Sequence, residues 1–297
     1  MLSSRNVRRL RGLTARSLLA LIACSLLLVA AAGGGWLPSS LVASELRDAR
    51  SVLWIIAHPD DESFFFAPSI LNIVRPGGLA SGAILCLSVG NHDGVGHLRR
   101  AELAESCRIL GISKERCELV DVPTLPDDPQ AVWEAGDIEQ HIRPRVERWQ
   151  ADAAGCTSLI RISLTSLIQG SLRFQLVTFD HYGVSGHSNH RAIAAAAQAI
   201  SQRDPLFPPT FAVLSSNMLA KYTSVVLLPV VLVDRFVRSV VGKESRSLFI
   251  NSWAQYRQTR RSFDAHASQA RWFRTLFVSF SRYLWFVEVE SLSLQHT

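Results

Sequence analysis

A chain of 297 residues has room for one full α/β domain plus an appendage, with a core large enough to fold without covalent staples. Hydrophobic residues make up 48% and charged residues only 19%, which is greasier than an ordinary soluble domain and calls for a membrane contact. The net charge of +6 suits an anionic partner, but the basic residues are scattered and form no stripe interleaved with aromatics, which excludes nucleic acid and favours a lipid surface.

Arg5, Arg8, Arg9, Arg11 and Arg16 make a basic tail over residues 1–16, and an uncharged stretch follows at 17–37. About 20 apolar residues in helix cross a hydrocarbon core of ~30 Å, so 17–37 is expected to form a transmembrane helix. A charged start, a leucine-rich centre and the small residues at 30–35 equally describe a cleaved signal peptide, and composition leaves both readings open. Five arginines before the span, against Arg47 and Arg50 after it, predict a translocated domain under the positive-inside rule. The cysteines point the other way. Cys24, Cys86, Cys107, Cys117 and Cys156 show no CxxC and no paired spacing, which predicts free, mostly buried thiols in a reducing compartment.

Residues 51–297 read as a single domain in which short apolar runs alternate with amphipathic segments. Strands are predicted at 51–57, 80–90, 117–122, 174–180 and 209–216. Helices are predicted at 97–111, capped by Gly111, at 128–150 with a kink or break at Pro144, and at 190–201. The pattern is that of βαβ units and gives a Rossmann-like, mostly parallel sheet with helices on both faces. Residues 154–172 are apolar and serine-rich without a clear period, and read as an insertion. Residues 224–233 are too short to span and carry Pro229; they read as a buried strand pair or as a shallow membrane-dipping hairpin. The C-terminal aromatics Trp272, Phe273, Phe277, Phe280, Tyr283, Trp285 and Phe286 suit either an ordinary core or a bilayer interface.

Chemistry-bearing residues gather at the ends of two predicted strands. The first ends in His58-Pro59-Asp60-Asp61-Glu62, at the carboxyl end where ligands collect in open α/β sheets. His58 and Asp61, three residues apart on a tight turn, can point at one cation; the alternative is a turn closed by Asp60 that caps the next helix. The strand at 174–180 is followed by His187 and His190, one turn apart where the next helix begins. Two histidines and a carboxylate with an open position form a catalytic rather than structural zinc pattern, while each histidine alone reads as a cap or a core residue. In the glycine-rich turn at 90–96, Asp93 can reach a substrate hydroxyl, although turn formation accounts for it as well. Arg99 and Glu102, one helical turn apart, also read as an exposed ion pair.

The blocks AHPDDE, GNHDGVGHLRRAEL and TFDHYGVSGHSNHRAI, with HASQARWFRTLFVSFSRY at 266–283, together resemble the LmbE-like family in its N-acetylglucosaminyl-phosphatidylinositol de-N-acetylase branch. The similarity runs over roughly 52–283. It implies a zinc-dependent (or other divalent-metal) amide hydrolase acting on a glycosylphosphatidylinositol lipid in the second step of GPI-anchor biosynthesis. It also implies the endoplasmic-reticulum membrane, with the catalytic domain facing the cytosol. By matched position the resemblance makes His58, Asp61 and His190 the metal ligands, Asp60 the general base and His187 the oxyanion-stabilising acid. Arg99 falls at an arginine that holds the substrate's polar head. Asn189 departs from many bacterial relatives, which carry an acidic residue there, and His92 stands where a small residue is usual. Three rival functions remain: a deacetylase of a soluble N-acetylglucosaminide, a catalytically silent membrane scaffold, and a hydrolase secreted after signal cleavage. The scaffold has no need for all five of His58, Asp60, Asp61, His187 and His190.

Overall fold

The run Ser51–Ile56 is apolar but for its first residue and buried at every position, as a strand covered on both faces must be. In the computed structural model, which describes residues 4–128, 130–153, 174–270 and 272–292, this run is β1, an interior strand, third in a seven-stranded sheet. The other strands are β2 (Ser81–Cys86), β3 (Cys117–Leu119), β4 (Phe174–Phe179), β5 (Thr210–Val213), β6 (Ser247–Ile250) and β7 (Phe286–Ser291), in the order β3-β2-β1-β4-β5-β7-β6. Strands β1 to β5 are mutually parallel, and β7 runs antiparallel between β5 and β6. The chain steps outward from β1 to β3 and then returns to the far side of β1 as β4. A crevice therefore opens between the carboxyl ends of β1 and β4, the topological switch point of the sheet.

The helices are α1 (Ser4–Gly33), α2 (Ala67–Ile73), α3 (Gly96–Leu110), α4 (Ala135–Ala153), α5 (Ser188–Arg203), α6 (Leu228–Val240), α7 (Trp253–Asp264) and α8 (Trp272–Phe280). Helix α4 continues through Pro144, so of the kink or break expected there the break does not occur. Ile138, Ile142, Val146 and Trp149 are buried along one face of it, and a stripe continuous across the proline offsets the ~3 kcal/mol that an interior proline costs. The expected strand pair or hairpin at 224–233 is instead a helical turn leading into α6, with Pro229 in the first turn where its missing N–H costs nothing. Residues 154–172 lie outside the described residues.

Helix α1 contains one stretch, Ala15–Gly33, that is long and apolar enough to cross a membrane, with mean hydropathy 2.2 and only 11% of it buried. It ends earlier than the expected 37, because Gly35 adopts φ +70° and turns the chain. Its last turns rest on the domain: Val29 is fully buried, and Ser25 Oγ donates to Leu21 O at 2.7 Å and to Val226 O at 3.4 Å.

The expectation of free thiols fails at one pair. Cys107, near the end of α3, and Cys117, at the start of β3, form a disulfide with Cα atoms 6.4 Å apart. Gly111 at φ +85° ends α3 and folds the chain back, so two cysteines ten residues apart face each other, a juxtaposition that spacing alone does not reveal. Cys24 and Cys86 are free.

Candidate active site at the switch point

Beyond β1 the backbone N–H groups of Ala57 and His58 both donate to Asp61 Oδ2, at 3.1 and 2.9 Å. The turn is thus closed by Asp61 and not by Asp60, contrary to the capping alternative. Asp60 sits at φ 127°, a region L-residues avoid at a cost of order 1–3 kcal/mol. A π-helical turn, Glu62–Phe66, comes next and is buried throughout, so the strained residue is held by packing on its C-terminal side.

Beyond β4 the carboxylate of Asp180 accepts from Gly183 N, Ser215 N and Ser215 Oγ, which fixes the loop that leads to α5. Gly183 must be glycine: its φ is +75°, and an added Cβ would meet the His190 Cβ at 2.7 Å. Its carbonyl accepts from His190 Nδ1 at 2.9 Å, which fixes the proton on Nδ1 and turns Nε2 inward. The His190 ring also stacks on Phe179 at 4.0 Å. His187 is the N-cap of α5, its Nδ1 accepting from Asn189 N at 3.3 Å, so the capping role expected of a lone histidine is real. That role coexists with a second one, because the same ring lines the cavity between the two strand ends.

This cavity, of about 780 Å³, brings His58, Asp60, Asp61, His187 and His190 together. Ligand-capable nitrogens of His58, His187 and His190 all lie within 4.8 Å of one another. Asp61 Oδ1 is 3.3 Å from His190 Nε2, and Asp61 Oδ2 is 3.9 Å from His58 Nδ1. His190 Nε2 is buried without a hydrogen-bond partner. Burial pushes His58 down to about 4, although Asp61 and Asp127 oppose it. Burial would raise Asp61, but His190 and His58 outweigh it and hold the carboxyl near 2. His190 is raised, burial being more than offset by Asp61. These directions describe mutual charge attraction between Asp61 and His190, in the position a divalent cation would compete for. Asp60 is raised to about 6 by burial, against the pull of Arg274.

Arg99 and Asp93 do not line this cavity. Arg99 is buried, and its Nη1 lies 3.4 Å from Asp127 Oδ2; Glu102, the expected ion-pair partner, instead accepts from Ser268 N and Oγ. Gly90 makes room for the guanidinium, since a Cβ there would stand 2.3 Å from Arg99 Nη1. Asp93 is exposed on the turn before α3. Several site residues escape sequence reading, which marks Asn189 only as a departure from bacterial relatives. Asp127, in the loop after β3, lies 3.2 Å from His58 Nε2, and the Asn189 amide nitrogen lies 3.1 Å from the same atom. Arg274 on α8 donates to Asp60 Oδ2 at 2.6 Å and to Gln269 Oε1 at 2.9 Å. Glu62, fully buried, accepts from Asp60 N, Ser106 Oγ and His266 Nε2.

Converging imidazoles and carboxylates under an open cavity, at the switch point of a doubly wound sheet, define a hydrolase-type centre on an α/β scaffold. Known proteins narrow the class. A profile of the family described as PIG-L: GlcNAc-PI de-N-acetylase matches residues 53–201. N-acetylglucosaminyl-phosphatidylinositol de-N-acetylase of Bos taurus is 34% identical over 235 residues, covering 78% of this chain and 79% of its own. A probable enzyme of the same name from Schizosaccharomyces pombe is 32% identical over 239 residues, covering 79% and 84%. Among solved structures, N,N'-diacetylchitobiose deacetylase from Pyrococcus horikoshii shares the fold with a TM-score of 0.50 at 16% identity, over 80% of each chain. The zinc-inhibited form of teicoplanin deacetylase Orf2 does so at 0.51 and 11% identity, over 81% of this chain and 98% of its own. The chain belongs to the GlcNAc-PI de-N-acetylase (PIG-L) family.

Proposed function

We propose that this protein hydrolyses the N-acetyl group of N-acetylglucosaminyl-phosphatidylinositol to glucosaminyl-phosphatidylinositol and acetate, the second step of GPI-anchor biosynthesis. The carrying observation is the convergence of His58, Asp60, Asp61, His187 and His190 on one cavity, in a chain similar over most of its length to enzymes of that name.

The donor set fits a divalent metal, zinc foremost. The buried His190 Nε2 has no hydrogen-bond partner, its Nδ1 is anchored on a carbonyl, and a carboxylate held near 2 stands 3.3 Å away. His58, Asp61 and His190 would hold the ion, and His187, whose ring centroid lies 4.9 Å from that of His58, would face it from the rim. When bound, such an ion supplies Lewis-acid charge that brings the pKa of a water towards ~7 and opposes charge developing on the acyl oxygen.

The chain's own residues account for the proton movements. Asp60, raised to about 6, is a carboxylate at neutral pH whose proton affinity is close to that of its surroundings, the optimum for taking a proton from the attacking water. Arg274 fixes Oδ2 of that carboxylate in place. His187 accepts from Asn189 N through Nδ1, so its neutral tautomer carries the proton on Nε2. That N–H faces the cavity and can donate to the tetrahedral oxyanion and then to the departing amine. The resemblance supports Arg99 for the substrate's polar head and its turn offers Asp93 for a substrate hydroxyl, although neither lines the cavity.

Membrane partnership is supported by the apolar stretch of α1 and by apolar side chains left exposed beside it. On α6 these are Val230, Val233, Phe236, Val237 and Val240; on α8, beside the cavity mouth, they are Trp272, Leu276 and Phe280. The resemblance supports the endoplasmic reticulum, with the domain facing the cytosol. The Cys107–Cys117 bond and the arginines before α1 favour the opposite face, and a glycosylation sequon inserted after Leu37 decides between them by staying unmodified or not.

The primary test is acetate release from N-acetylglucosaminyl-phosphatidylinositol by the full-length protein in membranes, with and without chelator, beside Asp60→Ala and His190→Ala. Chelator-sensitive release that both variants lose is the expected result. Turnover of soluble N-acetylglucosaminides alone would replace the lipid substrate, and bound metal without any turnover would leave a scaffold.

A further inference from the structure

Two side-chain cations line the active-site cavity, Arg274 and Lys221, and they differ in how their charge is met. Arg274 is paired with Asp60 through Nη2, although its buried Nη1 has no hydrogen-bond partner. Lys221 ends the short helical turn Met218–Lys221, is only 7% exposed, and has no carboxylate partner among the described residues. Its ammonium donates one long hydrogen bond, 3.4 Å to Val184 O. It also lies over the rings of Phe65, Phe277 and Tyr283, at 5.6, 5.8 and 6.0 Å from their centroids.

Taking a cation out of water is costly unless it is paired, and aromatic faces return only ~0.5–2 kcal/mol each. A lysine kept in such surroundings, with its remaining donors towards a cavity, is a point charge set for an anion that arrives with the ligand. The position suits one end of an extended substrate. Phe65 neighbours both the lysine and the catalytic cluster, its ring centroid 5.6 Å from the ammonium and 6.0 Å from the centroid of His190. The same cavity is walled by Tyr222, Leu276, Phe277 and Phe280, an apolar surface suited to the glycerol and acyl chains of a phospholipid.

We propose that Lys221 is a phosphate-recognition residue, pairing with the phosphodiester that links inositol to glycerol while the acetamido group lies at the His58–Asp60–His190 end. This rests on the deacetylase reading and adds to it a basis for choosing anionic glycolipids over neutral N-acetylglucosaminides. In that substrate the acetamide is on a sugar joined directly to the inositol that carries the phosphodiester, so one molecule presents both groups to one cavity.

The test compares kcat/KM of the full-length enzyme on N-acetylglucosaminyl-phosphatidylinositol with kcat/KM on N-acetylglucosaminyl-inositol, which lacks the phosphate. Lys221→Met is expected to lower the ratio of the two by about 10- to 100-fold, through KM, as loss of one charge-assisted contact does. Lys221→Arg is expected to recover most of that ratio, which a purely structural lysine would not do. Competition by inorganic phosphate against the neutral substrate, weakened in Lys221→Met, extends the site to free phosphate. No competition, with the ratio effect intact, restricts it to the diester of the lipid. A proportional loss on both substrates, or no change in the ratio, overturns the proposal while leaving the deacetylase reading standing. Failure of the wild type to act on the lipid while it turns over the neutral sugar overturns both.

Discussion

Asp61 and Glu62 are neighbours in the chain, and each meets a histidine brought from far along it, yet the two pairs have opposite characters. Glu62 and His266 are completely enclosed, 2.6 Å apart with both side chains 0% exposed. Every remaining valence there is used: Glu62 also accepts from Ser106 Oγ and Asp60 N, and Gln269 lies against His266 Nδ1. Asp61 and His190 lie 3.3 Å apart, and His190 Nε2 is left without a hydrogen bond beside an open cavity. A saturated buried pair can only brace the fold, whereas a pair with valence to spare, facing a cavity, can bind and react. What separates them is therefore the state of the last acceptor or donor, and not burial, charge or residue type.

The largest effects fall on the open pair and the base beside it. Asp60→Asn is expected to lower kcat by ~10²–10⁴ with the metal retained. His190→Ala is expected to lose both the metal and activity, and His187→Ala to lose activity but keep the metal, each followed by metal analysis of the purified protein. Loss of metal in His187→Ala as well would replace the set of His58, Asp61 and His190 by three imidazoles, all of which come within 4.8 Å of one another.

The closed pair is expected to respond in stability instead. His266→Ala leaves the Glu62 carboxylate buried without its cation and is expected to cost ~3–5 kcal/mol in denaturant unfolding, with metal content unchanged. Loss of the metal in this variant would show that the two pairs are not separable. Cutting the other cross-brace by Cys107→Ser is expected to cost less, ~2–3 kcal/mol for so short a loop, and reductant should reproduce the shift in the wild type and not in the variant.

Sequence reading found the open pair and missed the closed one for a physical reason. His58, Asp60, Asp61, His187 and His190 come directly after β1 and β4, and parallel strands deliver the segments after them to the same end of the sheet. Asp127, His266, Arg274 and Lys221 arrive from loops and helices whose placement depends on long-range packing, which no periodicity reports. Glu62 stands inside the same sequence cluster as Asp60 and Asp61, but its partners Ser106 and His266 lie 44 and 204 residues away. The helical repeat of α6 becomes visible only when the run is followed past Val233 to Val240, and β6, with four residues between polar segments, gives too short a run to stand out. Within the aromatic stretch Phe277, Tyr283, Trp285 and Phe286 are core, as one of the two expectations had it, while Trp272 and Phe280 are exposed.

The smallest expected effect is on pH dependence, and it separates the pairs by sign. Burial alone would lower the His266 pKa, but the Glu62 carboxylate more than offsets it, so the folded value lies above the ordinary 6.5. A histidine with a raised folded pKa contributes stability in full below its unfolded value and loses it as pH rises through the folded one. The brace should therefore weaken above neutrality, by at most ~1.4 kcal/mol per pH unit for a single proton. The open pair runs the other way, because metal binding needs both His190 and Asp61 free of protons and so strengthens as pH rises. Unfolding midpoints of the metal-free protein across this range, for the wild type and for His266→Asn, read the first effect without the second. A wild-type decline that His266→Asn flattens assigns that slope to the closed pair, whereas parallel profiles would mean that His266 holds no extra proton in the fold and that the contrast between the pairs is one of geometry alone.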